Sequence, residues 1–163
     1  MRQISGIQGF EAPNEPDHGE RTVPVAITDT SAPCRAVYDQ QTVFGHNWTQ
    51  FRSVTYAAAI PHPLIDGSLM LTQNVAVYPD SVASGTAFSR VVAAIPGCLA
   101  ASASLDRRTE RRPDSNTVLL YGDLGDDAYR LNGATLIHVS TVGPSERKQF
   151  TQEILDQLEH AQP

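Results

Sequence analysis

The chain has 163 residues, 40% of them hydrophobic and 18% charged, enough for one core of ordinary domain size. Twelve basic against eighteen acidic residues leave a formal charge of −6. That balance argues against a nucleic-acid binder or a basic membrane-surface module, because both need a cationic footprint.

In chain order, residues 1–33 read as largely irregular, punctuated by Pro13, Pro16, Pro24 and Pro33. Ile4 and Ile7 share a face if Met1–Ile7 starts as a helix. Val23, Val25 and Ile27 alternate over 21–28, which suggests a strand that Pro24 confines to an edge. A short helical turn follows Cys34. Residues 50–59 alternate Val54, Tyr56 and Ala58 against Ser53, Thr55 and Ala57, the period of a strand. Ile60-Pro61-His62-Pro63 and Asp66-Gly67 form a loop, and 69–78 resumes the alternation, so the pair reads as an antiparallel hairpin. Asp80 or Ser81 caps a helix over about 80–96, whose stripe is Phe88, Val91, Val92 and Ile95. Pro96-Gly97 is its expected stop.

Residues 102–116 are polar; the cluster Arg107, Arg108, Arg111 and Arg112 reads as a solvated loop, the alternative being a site for an anion or an acidic partner. A short strand at 117–121 leads into an acidic turn at 122–127. Ala128–Leu131, the turn signal Asn132-Gly133 and a strand at 134–142 form a second hairpin. That last strand is apolar on both faces, as a central strand is. Gly143-Pro144-Ser145 opens a closing helix over 145–160, with Phe150, Ile154, Leu155 and Leu158 as its stripe. No apolar run approaches the roughly 18 residues of a membrane span, and no secretory leader opens the chain. Strands outnumber helices and join by hairpins, so the fold class is α+β: an antiparallel sheet packed with two long helices, in one domain spanning 1–163.

Chemistry-bearing motifs are sparse. There is no nucleophile elbow, phosphate loop, dinucleotide fingerprint or metalloprotease helix. The histidines, His18, His46, His62, His138 and His160, never fall two or four positions apart, so no metal site is expected. Asp123, Asp126 and Asp127 lack the alternating ligands of a calcium loop and read as a solvated turn, with a weak cation site as the alternative. Trp48, with Phe44 and His46, is either a pocket wall or a cover over the sheet edge. Asn47-Trp48-Thr49 is a glycosylation triplet only in a eukaryotic secretory setting. Cys98 has no base beside it in sequence and is not expected to be a nucleophile. Cys34 and Cys98 are one bridge in a secreted protein or two buried thiols in an intracellular one. One lysine against eleven arginines suggests a GC-rich genome.

The order of several segments is more specific. Cys34 is followed by Trp48-Thr49-Gln50-Phe51-Arg52, then by Gln73-Asn74-Val75-Ala76-Val77-Tyr78-Pro79-Asp80, then by a helix with Ala87-Phe88 that ends near Cys98. Arg130-Leu131-Asn132-Gly133-Ala134-Thr135-Leu136-Ile137 and the closing helix come later. This order resembles the extracellular sensor domain of the mycobacterial Ser/Thr kinase PknH and related mycobacterial lipoproteins, over about residues 20–160. Members often carry a second cysteine pair in the C-terminal half, which this chain lacks.

The resemblance implies a twisted antiparallel sheet with two long helices enclosing a cleft, and a Cys34–Cys98 disulfide. It implies a location in the cell envelope or outside the cell, with membrane contact only through a segment beyond this chain. It implies a sensing or ligand-binding role with no catalysis and no cofactor. The partner is then an unidentified small ligand. The alternative is an envelope protein-interaction module without one, and a hydrolase with unrecognised residues is the third reading. Trp48, Tyr56 and His138 are the expected cleft lining, because aromatic bodies with polar tips suit such walls. Both helices are expected on one face of the sheet, burying Phe88 and Phe150.

Overall fold

A computed structural model of the chain describes residues 3–4, 7–8, 19–27, 31–60, 67–102, 107–143 and 148–160. Nine strands are described: β1 (Gln3–Ile4), β2 (Ile7–Gln8), β3 (Glu20–Arg21), β4 (Gln50–Ile60), β5 (Gly67–Val77), β6 (Thr109–Asp114), β7 (Thr117–Tyr121), β8 (Gly125–Asn132) and β9 (Thr135–Val142). The helices are α1 (Arg35–Tyr38), α2 (Gln40–Phe44), α3 (Ser81–Ser102) and α4 (Lys148–His160), with a single 3-10 turn, Ala32–Cys34, before α1. β1 and β2 pair with each other. The other seven strands form one antiparallel sheet in the order β3-β4-β5-β9-β8-β7-β6. This is the α+β class that the hairpin count pointed to.

The two hairpins pair where the alternation places them, and the second turns one residue later than the Asn132-Gly133 signal, with Asn132 still in its strand. β4 and β5 pair in register from Gln50↔Val77 to Ile60↔Gly67; the intervening 61–66 lie outside the described residues. β8 and β9 pair from Gly125↔Val142 to Asn132↔Thr135, leaving Gly133-Ala134 as a two-residue loop. Gly133 has φ +52, the left-handed conformation such hairpin turns require and glycine adopts at low cost. β9 lies between β5 and β8, and Leu136, Ile137 and Val139 are fully buried on its two faces.

The alternation of β9 separates two cores. On one face Leu136 joins Ala76, Phe51, Tyr129 and the α3 residues Phe88, Val91 and Ile95. On the other face Ile137 and Val139 join Leu71, Leu119 and the α4 residues Ile154 and Leu155. The Thr141 and Thr151 hydroxyls bond at 2.8 Å, and Arg130 pairs with Asp156 at 2.8 Å, both on the α4 side. The helices therefore sandwich the sheet, which corrects the expectation that both pack on one face. A strand apolar on both sides needs a cover on both sides. Phe88 is buried as expected; the Phe150 and Leu158 side chains lie outside the described residues.

α3 does not stop at Pro96-Gly97. It continues to Ser102, with Pro96 inside it. Proline cannot donate to the Val92 carbonyl four residues earlier, yet Pro96 and Gly97 lie on the exposed side. The inward stripe of Ala87, Phe88, Val91 and Ile95 runs on to Cys98, which is buried. Packing and the covalent bond at Cys98 hold the turn that the local sequence disfavours. Cys98 joins Cys34 in a disulfide with Cα atoms 4.5 Å apart. It lies within the helix rather than after it. At 22 residues, α3 is also long and apolar enough to cross a membrane by length and composition, contrary to the reading that no segment approaches a span. Here its inner face is part of the core.

Four further segments differ from expectation. Gln3–Ile4 and Ile7–Gln8 are short strands rather than a helical start. β3 covers only Glu20–Arg21, because the Val25 and Ile27 N–H groups bond to the Gln40 and Asp39 side chains instead of a ladder. Part of the polar 102–116 segment is β6, an edge strand of the sheet. The acidic stretch is not all turn: Asp126 and Asp127 are buried in β8.

Candidate functional site

His138 sits on β9 facing the α3 side of the sheet, 5% exposed. Its neighbours across the register are Asn74 on β5 and Tyr129 on β8. The Tyr129 ring stacks on the imidazole with centroids 4.4 Å apart and planes 4° from parallel. Asn74 reaches His138 Nδ1 at 3.1 Å, and His138 Nε2 reaches Asp127 Oδ1 at 2.9 Å. Arg108 bonds Asp127 Oδ2 at 2.6 Å and lies over the Tyr38 ring at 4.9 Å.

The direction of these bonds can be worked out from the backbone. The Val25 N–H can only donate, so Gln40 Oε1 accepts it at 3.1 Å. Gln40 Nε2 then donates to Asn74 Oδ1 at 3.0 Å, and Asn74 Nδ2 must donate to His138 Nδ1. His138 is thereby the Nε2–H tautomer and donates to Asp127. Every bond in the chain points toward one carboxylate. Burial alone would raise the Asp127 carboxyl. The His138 bond and the Arg108 charge outweigh it and hold the group below its ordinary value.

This arrangement braces the fold. Both imidazole nitrogens are occupied, one by an amide and one by a carboxylate, so neither is open to take a proton from a nucleophile. The network ties α2, β5, β9 and β8 together, and the Tyr129 hydroxyl adds a bond to the Val37 carbonyl of α1. Among the described residues no three His, Cys, Asp or Glu side chains cluster to hold a metal.

The structure does not bring the three expected lining residues into one cleft. His138 is enclosed on the α3 face. Tyr56, on β4, is half-buried against the α4-side core. Trp48 is half-buried between α2 and β4, with its Nε1 donating to the Gly45 carbonyl at 3.1 Å and its ring 6.0 Å from Phe51. It packs against the α3-side core.

Two open grooves flank α3. One, of about 650 Å³, lies between α3 and the β6–β7 hairpin, where Val82, Phe88, Val92 and Leu131 meet Arg112 and Asn116. The other, of about 560 Å³, lies between α2 and the first half of α3. Its charged groups are Arg90 and Asp39, its other polar groups include His46, Asn47, Gln41, Thr42 and Thr86, and its floor includes Phe44 and Tyr78. The Tyr78 hydroxyl donates to the Phe44 carbonyl at 2.9 Å. Burial raises its pKa to about 12, with the Arg90 charge working the other way. Asp39 caps α2 by accepting from the Thr42 N–H at 3.1 Å. Burial would raise its carboxyl, and the bonds from Thr42 and Ile27, with Arg35, lower it overall. Sequence reading placed His46 near Trp48 but missed Arg90, the one charged residue of α3, which stands on its outward side.

No family model matches the chain, and no curated protein matches it. Among solved structures, the crystal structure of the extracellular domain of PknH from Mycobacterium tuberculosis is similar, with a TM-score of 0.58. The match covers 87% of this chain and 86% of that one, at 11% sequence identity. At that identity the likeness is one of fold, over nearly the whole of both chains.

Proposed function

We propose that this chain is a non-catalytic binding or sensing domain that works outside the plasma membrane, as part of a cell-envelope protein, a secreted protein or a receptor kinase. The observation that carries the reading is the Cys34–Cys98 disulfide within a fold similar to a kinase's extracellular domain. Disulfides persist in oxidising compartments and are rare in reducing ones. The enclosed His138 network supports the non-catalytic part, since its polar groups bond to one another and leave no reacting atom facing a groove. Open grooves of a few hundred Å³ are of the size small ligands occupy.

The test is topological. An alkaline phosphatase reporter, active only where its own disulfides form, is fused to the C-terminus of the full-length gene product in its native host. Activity equal to that of a known exported fusion is expected. An inactive but stably expressed fusion contradicts the reading.

A further inference from the structure

The groove between α2 and α3 is organised around one guanidinium. Arg90 is exposed, yet its position is fixed, because Nη1 donates to the Thr42 carbonyl at 2.8 Å. Arg52, Arg107, Arg108, Arg112 and Arg130 each pair with a carboxylate. Among the described residues none pairs with Arg90. The turn beside it is shaped to the guanidinium. Gly45 has φ +66, and a Cβ there would lie 3.3 Å from Arg90 Nη1, so a side chain at this position would be strained and would crowd the guanidinium. The same turn supplies His46 and Asn47 to the groove, and Ala83 and Ala87 of α3 give it a small apolar wall.

We propose that this groove binds a small oxyanion-bearing molecule, a carboxylate or a phosphate, through Arg90, with His46 and Asn47 as further polar contacts and the alanine wall seating the carbon portion. A planar guanidinium with unused N–H groups favours an oxyanion's paired acceptors. Asp39 also lines the groove; its oxygens are occupied, Oδ1 accepting from the Ile27 N–H at 2.8 Å and Oδ2 from Thr42, but these neutral donors leave its negative charge beside the single guanidinium. The site therefore suits one oxyanion rather than a polyanion, and binding weakens with salt. This inference names a ligand class for the domain proposed above and rests on its being a binding domain. The reporter fusion reads location without any ligand, so the two fail separately.

The probes are sodium acetate and inorganic phosphate, titrated into the uniformly 15N-labelled 163-residue chain at constant ionic strength, with chloride as control. Saturable shifts are expected at the Arg90 Nε–H and at the Gly45, His46 and Asn47 amides, from acetate if the site takes carboxylates and from phosphate if it takes phosphates. Arg90→Gln should weaken binding at least tenfold, and Arg90→Lys less. Because Arg90 also holds the end of α2, His46→Ala serves as a second variant that leaves that bond intact; a several-fold loss is expected. The proposal is overturned if neither anion gives saturable shifts. It is equally overturned if Arg90→Gln and His46→Ala bind as the parent does, or if the shifts centre on residues 107–112, the arginine-rich edge.

Discussion

Asn74 shows why the buried network escapes a reading of the sequence. On its strand it is one polar residue in an alternating segment, which suggests a solvated face. Its strand is in fact covered on both sides, and its partners, Gln40 and His138, are 34 and 64 positions away. Only the strand register brings them together. The available signal was a polar side chain at an inward position of a strand that packs on both faces. Replacing Asn74 with leucine strands Gln40 Nε2 and His138 Nδ1, at about 1–3 kcal/mol for each unpaired buried group. Urea unfolding should show a loss of that order, and an unchanged midpoint would refute the network. Nitrogen-detected NMR should also find the His138 proton on Nε2 and not on Nδ1. Asp127 and Asp39 make the fold acid-sensitive in a stated direction. Their folded carboxyls titrate below the ordinary value of about 3.9. Their contribution is complete above the unfolded pKa and is lost as pH falls through the folded one. Thermal stability should decline below about pH 4, and Asp39→Asn should flatten that decline; an unaltered acid limb would count against it.

At the level of elements, the apolar periods were legible and the boundaries less so. Phe88, Val91 and Ile95 gave the inner face of α3, but the proline and glycine that normally end a helix stand on its exposed side. A stop signal acts through the local backbone. It is overridden when the buried stripe continues past it, as this one does to Cys98. The edge strand β6 was illegible for a different reason: its residues are mostly exposed, so no alternation marks it. Two substitutions separate packing from propensity in α3. Phe88→Ala should cost about 3–5 kcal/mol through the cavity it leaves. Pro96→Ala restores a donor to the Val92 carbonyl and should raise stability by about 1–3 kcal/mol, proline being about 3 kcal/mol worse than alanine inside a helix. Chemical denaturation of both variants checks the pair. A stabilising Phe88→Ala or a destabilising Pro96→Ala would mean that α3 is not held as described.

Across the whole molecule, the sheet carries α3 on one face and α4 on the other, and a single disulfide fastens α3 to the segment that opens the core. The bond closes a separation of 64 residues. On the chain-entropy model a loop of that length is worth roughly 4 kcal/mol. The hairpins, the sheet class and the apolar stripes could be read from alternation and turn residues, because those signals are local. The opposed helices could not, since a helical stripe states that a face is buried and not which side of the sheet buries it. The groove at Arg90 could not either, because it depends on a turn and a helix 45 positions apart. The proposed setting outside the cytoplasm requires that this disulfide be formed in the living cell. Its most direct test is thiol titration of protein taken from its native host, denatured under alkylating conditions without reductant. No reactive thiol is expected before reduction and two after it. Two reactive thiols before reduction would contradict it.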